Sequence, residues 1–454
     1  MAKKLIIAEK PSVAADIARA LGGFTRKGDY FESDKYVLSS AVGHLLELVL
    51  PEAHDVKRGK WSFKHLPVIP PHFDLAPLEK SEQRLNLLLR LMKRKDVTGL
   101  VNACDAGREG ELIFRYIAQH ARNKKPIERL WLQSMTQQSI REGFAGLRAD
   151  KEMLPLADAA KSRSEADWLV GINGTRAMTA FNSKEGGFYL TTVGRVQTPT
   201  LAILVEREER IRAFTARDYW EVQARFGAKA GEYPGRWLDP KFKKDDDAER
   251  KAERLWSADA AEAIVAACRG KTGVATEETK PSTQLSPLLY DLTSLQREAN
   301  GRFGFPARMT LSLAQALYER HKVLTYPRTD SRALPEDYLG TVKDTLKELG
   351  ETRAFGTFAK QILKQGWVKP NKRVFDNSKI SDHFAIIPTL QTPKQLNEAE
   401  QKLYDLVVRR FLAVFFPAAE HLQTTRITRV GEHQFKTEGR VLQSAGWLAI
   451  YGRA

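Results

Sequence analysis

Short, unbroken apolar runs alternate with stretches of helical period through the first third of the chain. The run KLIIAE (residues 4–9) is too short for a helix and carries two β-branched residues, which predicts a buried strand. PSVAADIARALG follows, with Pro11 and Ser12 at a helix start and Gly22 at its stop. YVLSSAVGHLLEL predicts a second strand that ends near Gly43 and His44, GLVNACD a third, REGELIFRYIAQHA the helix behind it, and IERLWLQS a fourth strand. This rhythm predicts an α/β domain with a largely parallel sheet.

Residues 151–215 read as helical, and DYWEVQARF opens a more strand-like region. GEYPGRWLDPKFKKDDDAERKAERLW is polar and mixed in charge and reads as a surface excursion. Helices return from 281 to about 400. In LLYDLTSLQREAN, Leu289, Leu292 and Leu295 share a face, as do Leu313, Ala314, Leu317 and Tyr318 in ARMTLSLAQALYERH. The tail LQTTRITRVGEHQFKTEGRVLQSAGWLAIYG again predicts strands. No internal repeat or low-complexity tract interrupts this order.

Charge narrows the partners. The 454 residues carry a formal net charge of +16 with a pI near 9.6, which favours nucleic acid, because phosphates reward Lys and Arg through counterion release. No basic amphipathic helix supports a membrane surface instead. Cys104 and Cys268 are the only cysteines, so neither a zinc ribbon nor a disulfide framework is expected. The apolar run after MAKK is too short for a signal-peptide core, and no stretch approaches the roughly 18 apolar residues of a membrane span. The expected location is the cytoplasm. No G-x-x-x-x-G-K-[ST] loop occurs, so no nucleotide cofactor is expected.

Two constellations bear on chemistry. Glu9 ends the first predicted strand, Asp105 ends the third, and Glu109 begins the helix after it. If the strands are neighbours, these acids converge beyond their carboxyl ends, where α/β sheets bind ligands. Such a set either holds a hard cation such as Mg²⁺ or is three ordinary strand-end and helix-start acids. The second is LTYPRTDS (324–331). Pro327 biases Tyr326 toward an extended conformation, which turns Tyr326 and Arg328 to one side. A phenol could then attack a phosphodiester whose oxygens the guanidinium holds, although a pKa of about 10 demands nearby positive charge, a proton acceptor, or both. A Tyr–Pro turn packed on the preceding helix gives the same pattern. From the residues alone, both readings stay open.

The chain resembles the type IA DNA topoisomerases, most closely their bacterial topoisomerase III branch. The likeness lies in IIAEKPSVA and CDAGREGE (the acidic motifs of a Toprim domain), GHLLEL between them, RSEADWLVGINGTRAMT and TTVGRVQTPTLAIL (arch motifs), LTYPRTDSR and SDHFAIIPT, in the family's order. The resemblance implies an α/β multidomain fold. It has a Toprim domain (1–150), a first arch segment that binds single strands (151–215), a strand-rich domain in two segments (216–280 and 401–454), and a helical domain with the active-site tyrosine (281–400). It implies that Tyr326 attacks the scissile phosphate and holds the 5′ end, with Arg328 on that phosphate. Glu9 acts near the leaving 3′ oxygen, Lys10 supplies charge and His383 assists. Mg²⁺ is implied at Glu9, Asp105 and Glu109. His44, Arg163, Asp167 and the segment Thr192, Val193, Gly194, Arg195, Val196 and Gln197 are implied to line a single-strand groove. The implied protein is a monomer that acts on DNA, preferring single-stranded segments, with no membrane partner.

The sequence departs from the family's pattern in two places. The family's motif reads D-x-D-x-E, whereas DAGRE puts Gly107 at the second aspartate, so that Glu109 and Glu111 are the acids remaining beside Asp105. On this reading Gly107→Asp restores a third acid and tightens Mg²⁺ use. The chain also stops at Ala454, after GWLAIYGRA, and the segment that closes the family's arch is expected to be missing, which favours cleavage over strand passage. Two other readings stand beside this one: a DNA-binding remnant that no longer cleaves, and a Toprim primase or nuclease, which leaves LTYPRTDS and GRVQTPT unexplained. Relaxation and decatenation are not distinguished.

Overall fold

Leu5, Ile6, Ile7 and Ala8 are fully buried. The strand that carries them, β1 (Lys3–Ala8), lies at the centre of the first sheet. The computed structural model describes residues 2–54, 61–244 and 246–452. After β1 come α1 (Pro11–Leu21), β2 (Thr25–Lys27), β3 (Tyr30–Glu32), β4 (Tyr36–Ser40), β5 (Leu46–Leu48), β6 (Leu75–Pro77), α2 (Glu82–Met92), β7 (Val97–Ala103), α3 (Arg108–His120), β8 (Ile127–Arg129), α4 (Gln137–Ala145) and β9 (Arg148–Ala149).

The seven strands run in the order β2-β3-β4-β1-β7-β8-β9. β4, β1, β7 and β8 are mutually parallel, and the outer pairings are antiparallel. Helices cover both faces, which is why β1 reads as a continuous apolar run. Its side chains alternate. Leu5 and Ile7 pack with Leu88, Phe114 and Ile117, whereas Ile6 and Ala8 pack with Ile17, Leu38 and Ile140. Ala8 sits in register with Ser40 and Ala103, so Glu9 and Asp105 leave the sheet at the same edge. The predicted strand YVLSSAVGHLLEL is divided. Val42 and Gly43 take positive φ values of 73° and 84°, and β5 pairs with β6 instead of the main sheet. Val42, β-branched in the left-handed region, is a strained position. Its N–H and that of Gly43 both donate to the Glu9 carbonyl, at 2.7 and 3.2 Å.

α5 (Asp150–Asn182) is tied to this domain by Tyr116 Oη donating to Ser164 Oγ at 2.9 Å and by Trp168 Nε1 donating to the Val49 carbonyl at 3.0 Å. α6 (Gln197–Arg212) has no buried residue, and Leu201 and Leu204 are 60% and 59% exposed. Replacing both leucines with Gln should change stability by less than about 0.5 kcal/mol and lower any self-association measured by sedimentation velocity. A large stability loss would contradict their exposure.

Two compact units are distinguished. The first comprises residues 1–210, 290–342 and 370–386; the second comprises 211–289, 343–369 and 387–454. The second unit contains β10 (Gln223–Ala228), β11 (Gly231–Leu238), α7 (Ala258–Cys268), β12 (Val274–Gln284), α11 (Gly356–Lys364), α12 (Glu398–Phe415), β13 (Ala419–Val430) and β14 (His433–Ser444). Its antiparallel sheet runs β10-β11-β14-β13-β12. The start of the expected surface excursion is therefore β11, a sheet strand. Tyr233, Gly235 and Trp237 share one face, and Gly235 leaves room for the Phe226 and Phe435 rings that meet above it. Residue 245, in the same excursion, lies outside the described residues. GWLAIY, expected as strand, is a 3-10 helix. α8 (Leu292–Phe303) and α9 (Ala307–Glu319) belong to the first unit, and α10 (Leu339–Gly350) begins there. Among the described residues, no helix is long and apolar enough to cross a membrane.

Candidate active site

The first unit brings Glu9, Lys10, Asp105, Tyr326 and His383 together. Glu9 and Lys10 follow β1, where Pro11 starts α1 at its first position. Asp105 follows β7. Lys10 Nζ donates to Asp105 Oδ2 at 2.7 Å and lies 3.5 Å from Glu9 Oε1. His383 Nε2 lies 3.3 Å from the same Asp105 oxygen. The Tyr326 ring has Lys10 Nζ 4.3 Å from its centroid and the His383 ring at 4.3 Å, with Tyr318 of α9 edge-on at 5.3 Å.

The tyrosine segment is held to its neighbour by side-chain bonds to backbone. Thr325 Oγ1 donates to the Ala385 carbonyl at 3.0 Å, Thr329 Oγ1 to that of His383 at 2.9 Å, and Ser331 Oγ to that of Lys379 at 2.8 Å. Three hydroxyls spaced along LTYPRTDS thus set the height of Tyr326 against His383. Arg328 is exposed and, among the described residues, unpaired.

The charges separate the two acids. Burial alone would raise Asp105, but hydrogen bonding from His383 and the charge of Lys10 outweigh it and hold Asp105 down at about 2. Glu9 is raised, first by burial and then by the charge of Asp105, against the pull of Lys10 and His383. Burial disfavours the Lys10 ammonium, but Asp105 and Glu9 more than compensate, and its pKa rises. Two neighbouring carboxyls with pKa values pushed apart form an acid–base pair. Asp105 is the fixed anion, and Glu9 is the carboxyl of the pair that takes up a proton more readily.

Glu109 lies elsewhere. It is exposed on the first turn of α3, with its Oε2 3.6 Å from His44 Nε2. Glu111 is fully buried, accepting from Asn102 Nδ2 at 2.9 Å and Arg115 Nε at 2.8 Å. It is not a spare ligand. The expected three-acid convergence is not formed: among the described residues, no group of three His, Cys, Asp or Glu side chains is placed to hold a metal ion. Glu9 and Asp105 by themselves are a repelling pair bridged by an ammonium. Such a donor set suits a hard cation that keeps most of its waters.

A cleft of about 730 Å³ in the same unit is lined by His44, Arg108, Glu109, Arg163, Asp167 and Asp382 among others. The segment 192–197 is not in its lining, but Arg195 pairs with Asp167, with a second bond of 3.2 Å. Val193 and Gly194 are fixed by Thr175 and Thr198. Thr175 Oγ1 accepts from Val193 N, and Thr198 Oγ1 accepts from Gly194 N, each at 3.0 Å. Thr192, Val196 and Gln197 are exposed.

Sequence reasoning missed Arg129. It is 1% exposed, and its guanidinium donates to the carbonyls of Cys104 at 2.7 Å and Asp105 at 2.6 Å, which fixes the loop that presents Asp105. A lone arginine in IERLWLQS gives no sign of burial. It also missed Tyr318 and Asp382, although the latter adjoins His383 in a motif already singled out.

Comparison with known proteins bears on the family. Residues 4–135 match the Toprim domain family, and residues 151–454 match a DNA topoisomerase family. The chain is 42% identical to DNA topoisomerase 3 of Bacillus subtilis over 458 aligned positions, covering 100% of this chain and 60% of that protein. It is 41% identical to the Bacillus cereus protein of the same name, covering 99% of this chain and 60% of the relative. The chain thus spans 60% of the length of these relatives. The solved structure of full-length topoisomerase I from Thermotoga maritima shares the fold, with a TM-score of 0.60 at 21% identity, over 99% of this chain and 68% of that one. The chain belongs to the type IA DNA topoisomerases, as a member that carries a Toprim domain.

Proposed function

We propose that the chain carries the cleavage centre of a DNA topoisomerase that breaks and reseals one strand through Tyr326 without a nucleotide cofactor. The observation that carries this reading is the tyrosine ring beside Lys10 and His383, both of which meet the ionised Asp105. Tyr326 Oη forms a bond to the scissile phosphorus as the bond from phosphorus to the 3′ oxygen breaks. The phenolic proton is released to solvent, and the 3′ oxygen takes a proton from Glu9, which burial and the charge of Asp105 push toward its protonated form. Lys10 and Arg328 supply positive charge to the phosphate oxygens. The ester keeps the bond energy, so the 3′ hydroxyl reseals the strand by the reverse step. Glu9 and Asp105 are the acids that would hold Mg²⁺, which would add positive charge where the broken ends are aligned.

The substrate is DNA with a single-stranded segment, which His44, Arg163, Asp167 and residues 192–197 would guide. The proposed whole protein is a cytoplasmic monomer that passes a strand through the break, relaxing negative supercoils or decatenating DNA. The test is a covalent adduct between the chain and the 5′ phosphate of a single-stranded oligonucleotide after denaturation. Binding without any adduct would favour a remnant that no longer cleaves. Binding should also weaken with salt, by roughly 50-fold between about 50 and 200 mM if about four phosphates are neutralised. A flat response, or a duplex preference in the same titration, would count against the groove.

A further inference from the structure

Gly107 is not a glycine for the sake of its backbone. Its φ of −166° and ψ of −178° are extended and open to any residue. What position 107 lacks is room. An ideal Cβ there would lie 2.0 Å from Asp382 Oδ1, 2.4 Å from its Cγ and 2.5 Å from its Oδ2. The side chain that a D-x-D-x-E motif places at this position and the side chain of Asp382 therefore claim one volume.

Asp382 is held there from both sides. Gln133 Nε2 donates to the Ile380 carbonyl at 2.8 Å, and Ser381 Oγ donates to Asp330 Oδ1 at 3.0 Å. On the other side, Thr329 fixes the His383 carbonyl, and the His383 ring meets Asp105. The half-buried Asp382 carboxyl thus stands in the cleft against the loop that follows Asp105.

We infer that Asp382 takes the place of the aspartate missing at position 107, so that the second acid of the motif comes from the segment fastened beside the tyrosine, residues 380–383, rather than from the Toprim loop. The inference rests on the topoisomerase reading above. The glycine and the distant aspartate are one exchange: the loop gives up its side chain, and the neighbouring segment supplies the same group in the same space. The acid is complete only while residues 380–383 are seated against the loop, and the same seating brings His383 to Tyr326. The expectation that Gly107→Asp adds a third acid is thereby reversed, because the new side chain collides with the one already present.

Four full-length proteins test this: the wild type, Asp382→Asn, Gly107→Asp, and Gly107→Asp combined with Asp382→Gly. Two readouts are taken: the rise in Tm on adding Mg²⁺ without DNA, and the Mg²⁺ concentration for half-maximal resealing of the oligonucleotide adduct. Asp382→Asn keeps the shape and loses the charge, and should raise both Mg²⁺ midpoints by about 10- to 100-fold. Gly107→Asp alone should lower Tm through the collision. The double variant should recover Tm and bring both midpoints back toward wild type. The inference is overturned if Asp382→Asn keeps wild-type midpoints, if the wild type shows no Mg²⁺ response in either assay, or if the folded double variant responds no better than Asp382→Asn. Absence of any adduct from the wild type, with the Mg²⁺ shift in Tm following the expected order, would instead fault the topoisomerase reading and leave the exchange standing.

Discussion

Tyr326→Phe should give no covalent protein–DNA adduct while changing single-strand affinity by less than about twofold, since only the nucleophilic oxygen is removed. The ring contacts with Tyr318, His383 and Lys10 do not involve the hydroxyl and should persist. A change of this kind typically moves stability by less than about 0.5 kcal/mol at a half-buried site. Adduct yield on a denaturing gel, read beside binding in solution, separates the two effects, and an undiminished yield would show that another group attacks. The same assay tests Glu9. Its carboxyl is raised, so the protonated form that serves the leaving oxygen is populated at low pH and lost as pH rises through the folded-state pKa. Cleavage should therefore fall on that limb with increasing pH. Asp105→Asn removes a charge that raises Glu9, and the limb should move to lower pH. A limb that stays in place would remove Glu9 from the proton transfer.

How far the sequence reveals this site depends on the residue. β1, α1, β7 and α3 follow from apolar period and from Pro11 and Gly22, so the strand ends at Glu9 and Asp105 are legible from pattern, whereas the common edge they share comes from the pairing of β1 with β7, which the pattern leaves open. Tyr326 and His383 are legible only through their motifs, because nothing local says that Thr325 and Thr329 fasten one segment to the other. The opposite fates of Glu109 and Glu111 follow from helix geometry: two positions on, a helix has turned about 200°, so one carboxylate faces the cleft and the other enters the core. β11 is hidden because Pro234 and Gly235 interrupt its alternation, and its strand character comes from the aromatic rings that cover Gly235. Arg129 and Asp382 are illegible for a deeper reason. Each is polar in a stretch where exposure is the ordinary outcome, and its partners come from elsewhere in the chain: backbone carbonyls for Arg129, a missing Cβ for Asp382.

Arg129→Met should cost the first unit about 3–5 kcal/mol, the range for removing one member of a buried ionic network. The guanidinium donates to the carbonyls of Asn102 at 3.1 Å, Cys104 at 2.7 Å, Leu130 at 2.9 Å and Asp105 at 2.6 Å. Its Nε lies 3.3 Å from Glu111 Oε2, as an ion pair without hydrogen-bond geometry. Methionine fills similar volume but leaves these carbonyls short of a donor, and the fully buried Glu111 keeps only Arg115 and Asn102. Arg129→Lys should recover only part of the loss, since an ammonium restores charge beside Glu111 but not a planar fork that reaches several carbonyls. Trp131, whose ring lies 5.1 Å from the Arg129 guanidinium carbon, reports the change. Its fluorescence should lose its folded signal at lower urea in the order Met, Lys, wild type. Below that transition the folded Met variant should still bind single strands, because the exposed Arg163 and Arg195 are unchanged, yet form much less adduct, because Asp105 is no longer held against Lys10 and His383. Wild-type stability and adduct yield together in Arg129→Met would show that the Asp105 loop holds its shape without the arginine beneath it.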